Sequence, residues 1–166
     1  RSKSKHPNVV YFNVARARGD CVSMSLAYGG VPFTNESYNT YFNVGDGAWP
    51  EVKGTEQVPF SQLPILDCGN GKIIAQTAAI SKYAAQVGGF YPVDEAEAAR
   101  CDMMFEAGQE IAGVGGTINF KAGDEFNTAV NTFMETFPAK LANIAGQFGE
   151  GPFFCSRARP SHGDFN

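Results

Sequence analysis

The 166-residue sequence predicts a small α/β domain followed by an all-helical domain. Short apolar runs in the first half have the length and composition of strands. A strong hairpin signal lies near residue 70, and in the second half the apolar residues recur at helical spacing. We place the boundary between Gly88 and Gly89, at the start of "GGFYPVDE", which gives ranges 1–88 and 89–166.

The first forty residues predict a strand, a helix and a second strand. "NVVYFNV", residues 8–14, is β-branched and aromatic, as buried strands are. "RGDCVSMSLAYGG" predicts a helix that ends at Gly29 and Gly30. "VPFTNESYNTYF" lacks a clean apolar face and predicts an edge strand, and residues 43–61, rich in Gly and Pro, predict irregular structure.

The hairpin signal is the segment "LPILDCGNGKIIAQ". Asn70-Gly71 is expected to supply the positive φ angles of a tight turn between two antiparallel strands. A helix is predicted after Thr77, and Gly88-Gly89 should end it. Its apolar positions recur at helical spacing: Ile80, Tyr83, Ala84 and Val87.

Two helix-start signals and one long apolar stripe define the second half. Asp94 and Glu97 have the spacing of a capping box at a helix start. "SHGD", residues 161–164, has the Ser-x-x-Asp pattern of a further helix start. The stripe predicts one face of a long amphipathic helix that Pro138 should kink or interrupt. Its members are Phe126, Val130, Phe133, Phe137, Leu141, Ile144 and Phe148.

The composition argues against several functional classes. Seventeen acidic and thirteen basic residues give a net charge of −4, and the basic residues gather at the ends, which disfavours nucleic-acid binding. No apolar run approaches the roughly 20 residues of a membrane-spanning helix, so a soluble protein, or at most a peripheral membrane protein, is expected. The four widely spaced cysteines show no zinc pattern; they predict free thiols, an intracellular reducing compartment and no metal.

The order of these elements, with Pro64 leading the first hairpin strand, resembles the glutathione transferase family, especially its sigma and mu classes. The resemblance implies a thioredoxin-like α/β domain at the N-terminus. It also implies that the Leu63–Pro64 bond is cis and that the Leu63 backbone pairs with the cysteinyl part of glutathione. Such a bond is physically reasonable, because cis costs an X-Pro bond only about 0.5–1 kcal/mol.

Two further segments resemble the family's glutathione-binding motifs. "WPEVK" is similar to its Trp-x-x-x-Lys segment, so Trp49 and Lys53 are expected to bind the glycine carboxylate. "AQTAAI" is similar to its Gln-Ser segment, so Gln76 and Thr77 are expected at the γ-glutamyl group, where a helix N-terminus favours a carboxylate. Thr77 could equally be a simple N-cap. Gln62 lies where the family often places another glutamine.

"EAARCDMM" resembles the Arg-x-Asp segment of the family's helical domain. In the family this Asp contacts the γ-glutamyl amine of glutathione on the other subunit. The resemblance therefore implies that Asp102 is a binding residue and that the protein is a homodimer. The simpler alternative is a solvated residue on a helix face.

The catalytic tyrosine leaves two possibilities. In the family, a Tyr at the end of the first strand donates its hydroxyl to the glutathione sulfur and favours the thiolate. Counting forward along the strand puts Tyr11 there, but counting backward from Asp20 puts Phe12 there. Our hypothesis is that Ala15 is a loop insertion and that Tyr11 is catalytic, because loops absorb extra residues more easily than strands.

The resemblance weakens toward the C-terminus. The family continues from the Ser-x-x-Asp box into further helices, whereas this sequence stops at Asn166, so the helical domain is expected to be incomplete. A longer protein, or another chain, should then cover the apolar stripe. The Gly-rich residues 112–126 lie where the family lines its second-substrate pocket, and they predict a mobile, open site.

Taken together, the residues and the resemblance predict a glutathione transferase that conjugates glutathione thiolate to small hydrophobic electrophiles. Glutathione-dependent isomerisation, as in sigma-class prostaglandin synthases, would use the same first site. The alternative from another class is a non-catalytic structural subunit that has kept the fold and docks in a larger assembly.

Overall fold

The computed structural model describes residues 5–14, 17–154 and 158–166. The chain forms two compact units. The first is Arg1–Tyr91 with Phe165, and the second is Pro92–Asp164 with Asn166. A mixed sheet forms the centre of the first unit, and two long helices form most of the second.

The first unit contains four strands, four α-helices and one 3₁₀ turn among its described residues. In chain order they are β1 (Asn8–Tyr11), α1 (Arg18–Tyr28), β2 (Thr34–Ser37), α2 (Tyr38–Phe42), α3 (Trp49–Val52), the 3₁₀ turn Pro59–Ser61, β3 (Ile65–Asp67), β4 (Ile73–Ala75) and α4 (Thr77–Val87).

The strand order of the sheet is β2-β1-β3-β4. β1 and β2 are parallel, and the other neighbours are antiparallel. Val10 pairs with Ile65, and Ile65 pairs with Ala75. The end of β1, the start of β3 and the end of β4 therefore lie side by side at one edge of the sheet.

Each face of the sheet has its own core, because successive strand residues point to opposite sides. Val9 and Leu66 pack on one face with helix residues such as Ile80 of α4. Val10 and Ile65 pack on the other face with residues that include Tyr41 and Val58. β1 is therefore buried on both sides, which explains its unbroken apolar run.

The hairpin is confirmed, but of the Asn70-Gly71 pair only Gly71 supplies a positive φ angle, and the expectation for Asn70 was wrong. β3 and β4 pair antiparallel as predicted. Positive φ occurs at Gly69 (75°) and Gly71 (84°), not at Asn70. Asn70 instead accepts a hydrogen bond from the Lys72 backbone N–H through its side-chain oxygen, at 3.1 Å. Glycine takes these conformations without steric cost, whereas the asparagine stabilises the loop through its side chain.

Two short helices were not predicted. The segment expected to be one edge strand ends at Ser37, and α2 follows directly and ends at Asn43 in the left-handed conformation, with φ 56°. The segment expected to be irregular contains α3, where Pro50 lies in the first turn. Proline is well suited to a helix start, because the first N–H groups of a helix have no internal partner.

The second unit contains α5 (Glu95–Ile118), α6 (Gly123–Ala145) and, except for its last residue, the 3₁₀ turn His162–Phe165. Asp94 caps α5 by accepting a 2.8 Å hydrogen bond from the Glu97 backbone N–H. Ser161 and Asp164 form the predicted capping box at the 3₁₀ turn. Both helix-start signals are thus confirmed.

Two features of the second unit concern expectations from the sequence. α6 continues through Pro138, so the proline does not interrupt the helix, because it removes one internal hydrogen bond while the flanking turns keep theirs. A kink at Pro138 stays a prediction. The Gly-rich segment is helical as far as Ile118, and the mobile, open site expected there stays a prediction. Glycine weakens a helix by about 1 kcal/mol relative to alanine, which the rest of a long helix offsets.

α6 has every residue described, and none of them is buried. α5, in contrast, buries Ala98, Cys101, Met104 and Phe105. Among the described residues, no helix is both long enough and apolar enough to cross a membrane. Cys21, Cys68 and Cys101 are free thiols. Cys155, and the inserted Ala15 of the catalytic hypothesis, lie outside the described residues.

Candidate active site

Several of the predicted site residues meet at one edge of the sheet. Tyr11 ends β1, Leu63 and Pro64 immediately precede β3, and Gln76 follows β4. The pairs Val10–Ile65 and Ile65–Ala75 bring these three chain segments into line. Strand pairing, rather than closeness in sequence, therefore assembles this part of the site.

Tyr11 packs against the N-terminus of α1. A side-chain carbon at Gly19 would lie only 2.9 Å from the Tyr11 ring, so glycine there lets the ring approach the helix. The Tyr11 oxygen accepts a hydrogen bond from the Arg18 backbone N–H. The tyrosine is thus held at a helix terminus whose N–H groups favour negative charge nearby.

Burial raises the pKa of Tyr11, while the Arg18 charge and the hydrogen bond from the Arg18 backbone partly lower it. The net direction is upward from a value of 10.0, so the phenol keeps its proton near neutral pH. A protonated phenol can donate to a neighbouring anion. Tyr11 therefore has the chemical state that a hydrogen-bond donor to a thiolate requires.

Arg18 is a candidate site residue that was not predicted from the sequence. The segment Arg18–Gly19–Asp20 served only as a reference for counting positions, although the same Arg-small-acid pattern could have identified the arginine. In the structure, both the backbone and the charge of Arg18 act on the Tyr11 hydroxyl. A cation at this point favours an anionic sulfur close by.

Phe12 has a different environment from Tyr11. Its ring makes edge contacts with Tyr38 and Trp49, with ring centres 5.6 and 5.2 Å away. Tyr38 and Trp49 also make an edge contact, at 5.6 Å. Edge arrangements of aromatic rings are favourable and directional. Phe12 thus packs in an aromatic cluster of Phe12, Tyr38 and Trp49, and this cluster holds the indole beside the end of β1.

Trp49 and Lys53 lie one helical turn apart. The Lys53 backbone N–H donates to the Trp49 carbonyl at 3.0 Å, which places both side chains on one face of α3. Trp49 is half-buried and Lys53 is exposed. The pair can present an N–H donor and an ammonium group to one carboxylate.

The two glutamines of the site contact each other. The Gln76 side-chain N–H donates to the side-chain oxygen of Gln62 at 3.3 Å. Gln76 has φ 72°, and Phe60 and Ser61, just before Gln62, have φ 59° and 54°. Positive φ in non-glycine residues costs about 1–3 kcal/mol each and is typical of ligand-binding positions.

Thr77 is the first residue of α4, and Gln76 is at the N-cap position without a side-chain capping bond. The alternative of Thr77 as a simple N-cap was therefore wrong. The N-terminal N–H groups of α4 lack a side-chain cap and can donate hydrogen bonds to a carboxylate. The Gln76 amide and the buried Thr77 lie at this same helix start.

The Leu63–Pro64 peptide bond is cis. β-Ladder pairing on both sides of β3 begins at Ile65, so Leu63 lies just outside the ladder. Gln62 before it is extended, with φ −135° and ψ 153°. An extended segment beside a sheet can pair its backbone with a peptide ligand, as an added strand does.

Asp102 belongs to α5 in the second unit. Its carboxylate oxygen lies 3.0 Å from Nε2 of His162. The expected contact of Asp102 with the γ-glutamyl amine of glutathione on a second copy of the chain stays a prediction.

The nearby thiol of Cys21 is a poor nucleophile, because burial raises its pKa. Within the described ranges, no group of three His, Cys, Asp or Glu side chains could hold a metal ion. The chemistry available at this edge includes hydrogen-bond donors, the phenol of Tyr11 and the charges of Arg18, Asp20 and Lys53.

A mixed four-stranded sheet with helices, followed by a helical unit, is the fold of the glutathione S-transferases, and the expected fold class is confirmed. The chain superposes on the Pi-class glutathione S-transferase of Onchocerca volvulus with a TM-score of 0.79, at 18% identity, over 96% of this chain and 73% of that one.

The sequence relatives agree with the fold. The chain is 29% identical over 137 residues to "Probable glutathione S-transferase 6" of Caenorhabditis elegans, covering 80% of this chain and 62% of the relative. It is 32% identical over 98 residues to a glutathione S-transferase of Anopheles gambiae, covering 59% of this chain and 43% of the relative. No family model matches the chain.

At this moderate identity, the chain is similar in sequence to proteins named glutathione S-transferase and has the fold of the glutathione S-transferases. It spans less than two thirds of the length of both sequence relatives.

Proposed function

We propose that this protein binds glutathione at the sheet edge of the first unit and conjugates the glutathione thiolate to small hydrophobic electrophiles. One observation carries the proposal: strand pairing brings a protonated Tyr11, the extended backbone before β3 and the start of α4 to the same edge. Named relatives that are transferases support an enzyme, and they do not favour a non-catalytic structural subunit.

Glutathione would lie along this edge. Its cysteinyl backbone would pair with the Leu63 backbone before Pro64. Its γ-glutamyl carboxylate would bind at Gln76 and Thr77, where α4 begins, and Gln62 would contact Gln76 beside it.

At the other end of the ligand, the glycine carboxylate would meet the Trp49 indole and the Lys53 ammonium. The aromatic cluster fixes the position of the indole before the ligand arrives. Because the indole is already positioned, less ordering entropy opposes binding.

Tyr11 would activate the sulfur. A free thiol has a pKa of about 8.5, so only a few per cent is thiolate at pH 7. The Tyr11 hydroxyl would donate to the sulfur, and the Arg18 charge would favour the anion, so the thiol proton passes to water. The thiolate then forms a carbon–sulfur bond with the electrophile, which releases its leaving group or takes a proton from solvent.

The finer assignments are also proposals. A tyrosine at the end of β1 supports the sigma- or mu-like class. Asp102 would contact the γ-glutamyl amine of glutathione bound to a second copy, so a homodimer is proposed. The free thiols of Cys21, Cys68 and Cys101 support a reducing intracellular compartment.

The test compares Tyr11→Phe with Tyr28→Phe, a matched variant of a half-exposed tyrosine in α1. The thiolate absorbance of bound glutathione at neutral pH and the conjugation rate of a chloronitrobenzene are measured. We expect Tyr11→Phe to lose the thiolate band and about 10- to 100-fold of kcat/KM, the range of one hydrogen bond to an anion. Tyr28→Phe should keep both.

Binding is measured separately through the fluorescence of Trp49, the chain's single tryptophan. Glutathione affinity should stay within about threefold in Tyr11→Phe, since most contacts of the ligand lie elsewhere. An undiminished rate in Tyr11→Phe would refute its catalytic role. Absence of glutathione binding in the unaltered protein would refute the proposed function itself.

A further inference from the structure

The C-terminal turn of the second unit is fixed tightly to α5. Asp164 accepts hydrogen bonds from the backbone N–H of Ser161 and of Phe154, both at 2.8 Å. A side-chain carbon at Gly163 would lie 2.8 Å from the Cys101 carbonyl oxygen, so only glycine allows this close approach. The turn is therefore held against α5 at the level of Cys101.

This arrangement buries a histidine under the helix. The His162 side chain is only 2% exposed, and its ring stacks on the Phe105 ring with centres 5.7 Å apart. Its Nε2 lies 3.0 Å from Oδ1 of Asp102. Histidine is seldom buried this completely without a polar partner, and here the partner is the carboxylate of Asp102.

The contact restrains Asp102 without covering it. The Asp102 side chain remains 36% exposed, while one of its oxygens faces the buried imidazole. A carboxylate has two oxygens and can accept about four hydrogen bonds, so it can bind a cationic group at the same time. A bond from a buried, stacked ring fixes the carboxylate direction better than a flexible surface partner would.

We propose that His162 is a positioning residue: it orients Asp102 toward the γ-glutamyl amine of glutathione bound to a second copy of the chain. This inference rests on the proposed function, and it adds a residue that does not itself touch the ligand. His162 acts by lowering the entropy that Asp102 loses when the ammonium group binds.

The test uses two ligands that differ only in that amine: glutathione, and its analogue without the α-amino group of the γ-glutamyl residue. Affinities come from Trp49 fluorescence in the unaltered protein and in two variants. His162→Phe keeps a ring that can stack on Phe105 but has no donor, and His162→Gln keeps a side-chain N–H donor.

We expect the unaltered protein to prefer glutathione over the analogue by about tenfold or more, the effect of one charge-assisted contact. His162→Phe should lose most of this preference while its affinity for the analogue stays unchanged. His162→Gln should retain part of it. A histidine that only fastens the turn to α5 would weaken both ligands equally or neither.

Equal preference in the unaltered protein and in His162→Phe would overturn the inference, as would binding of glutathione by the unaltered protein with no preference over the analogue. Either result leaves the proposed glutathione binding and conjugation intact, and the second result also contradicts the proposed contact between Asp102 and the amine. No glutathione binding by the unaltered protein would instead overturn the proposed function, and this inference with it.

If His162→Phe fails to fold, a double-mutant comparison of His162→Gln and Asp102→Asn tests the inference instead. His162→Gln should change the preference in the otherwise unaltered protein but not in the Asp102→Asn background, because the carboxylate through which it acts is gone there. The same change in both backgrounds would overturn the inference.

Discussion

α4 and α6 are helices of similar amphipathic character in very different surroundings. α4 packs against α1 and the sheet and buries five residues: Thr77, Ile80, Ser81, Ala84 and Ala85. α6 packs against α5, and none of its residues, all of which are described, is buried. Leu141 and Met134 on α6 are 48% and 59% exposed.

The difference shows that an amphipathic pattern indicates which face of a helix is apolar, but not which surface covers that face. The apolar stripe of α6 is as regular as that of α4. What separates them is the covering surface, since the sheet provides α4 with a broad apolar face and α5 offers α6 a single helix. Stability should therefore depend on α4 far more than on α6.

The largest effect should come from truncating one apolar side chain in each helix. Ile80→Ala and Leu141→Ala remove the same number of carbon atoms. We expect Ile80→Ala to lower the free energy of unfolding by about 2–5 kcal/mol, because Ile80 is fully buried. Leu141→Ala should change it by about 0.5 kcal/mol or less.

Denaturant unfolding, followed by Trp49 fluorescence and by circular dichroism, measures both variants. A loss in Leu141→Ala as large as that in Ile80→Ala would show that the α6 face is covered in solution, and the contrast between the helices would fail.

A smaller effect on stability is expected from replacing, with alanine, the glycine that follows a packed helix and the glycine that follows the exposed α6. Gly29 follows α1, and a side-chain carbon there would lie 2.6 Å from Cα of Gly88, which follows α4. Gly29→Ala should therefore separate α1 from α4 and cost about 1–3 kcal/mol. Gly146 follows α6, where the nearest atom would be 3.4 Å away.

Gly146 has φ −64°, which alanine adopts readily. Gly146→Ala should accordingly leave stability unchanged or raise it by up to about 1 kcal/mol. Thermal unfolding of the two alanine variants checks both values. Equal destabilisation would mean that steric crowding at Gly29 is not the cause.

The smallest effect concerns the ion pair between Lys140 of α6 and Glu110 of α5. The Lys140 hydrogen bond and charge lower the pKa of Glu110, so the pair stabilises the folded state above the unfolded pKa of about 4.3. That stabilisation is lost as the pH falls through the lower folded value. Both side chains are solvent-accessible, so the effect is weak.

We expect Lys140→Gln to lower the unfolding temperature by about 2 °C or less at pH 7 in low salt. The difference should shrink as the pH falls below the unfolded pKa of Glu110 and vanish below its lowered folded pKa, and it should also vanish in about 1 M salt. Lys72→Gln, at an exposed lysine of the hairpin loop, is the control and should show no such dependence. A difference that persists in acid would exclude the ion pair as its cause.

Much of the fold follows from local sequence chemistry. The apolar run of β1, the two antiparallel hairpin strands and the Asp94 and Ser161 caps were predictable because neighbouring residues cause them. α3 was missed because a four-residue helix has too few positions to show a period. The candidate site was predictable only in part: motif resemblance led to Tyr11 and Trp49, but Arg18 was overlooked.

The sequence by itself determined which segments become strands and helices and where most of them end, since backbone conformation and capping depend on residues a few positions apart. Only the tertiary structure decided that Tyr11 packs on Gly19 while Phe12 joins Trp49, that His162 lies beneath Asp102, and that α6 remains exposed. Each of these depends on contacts between residues distant in the chain, and no local pattern encodes which surfaces meet.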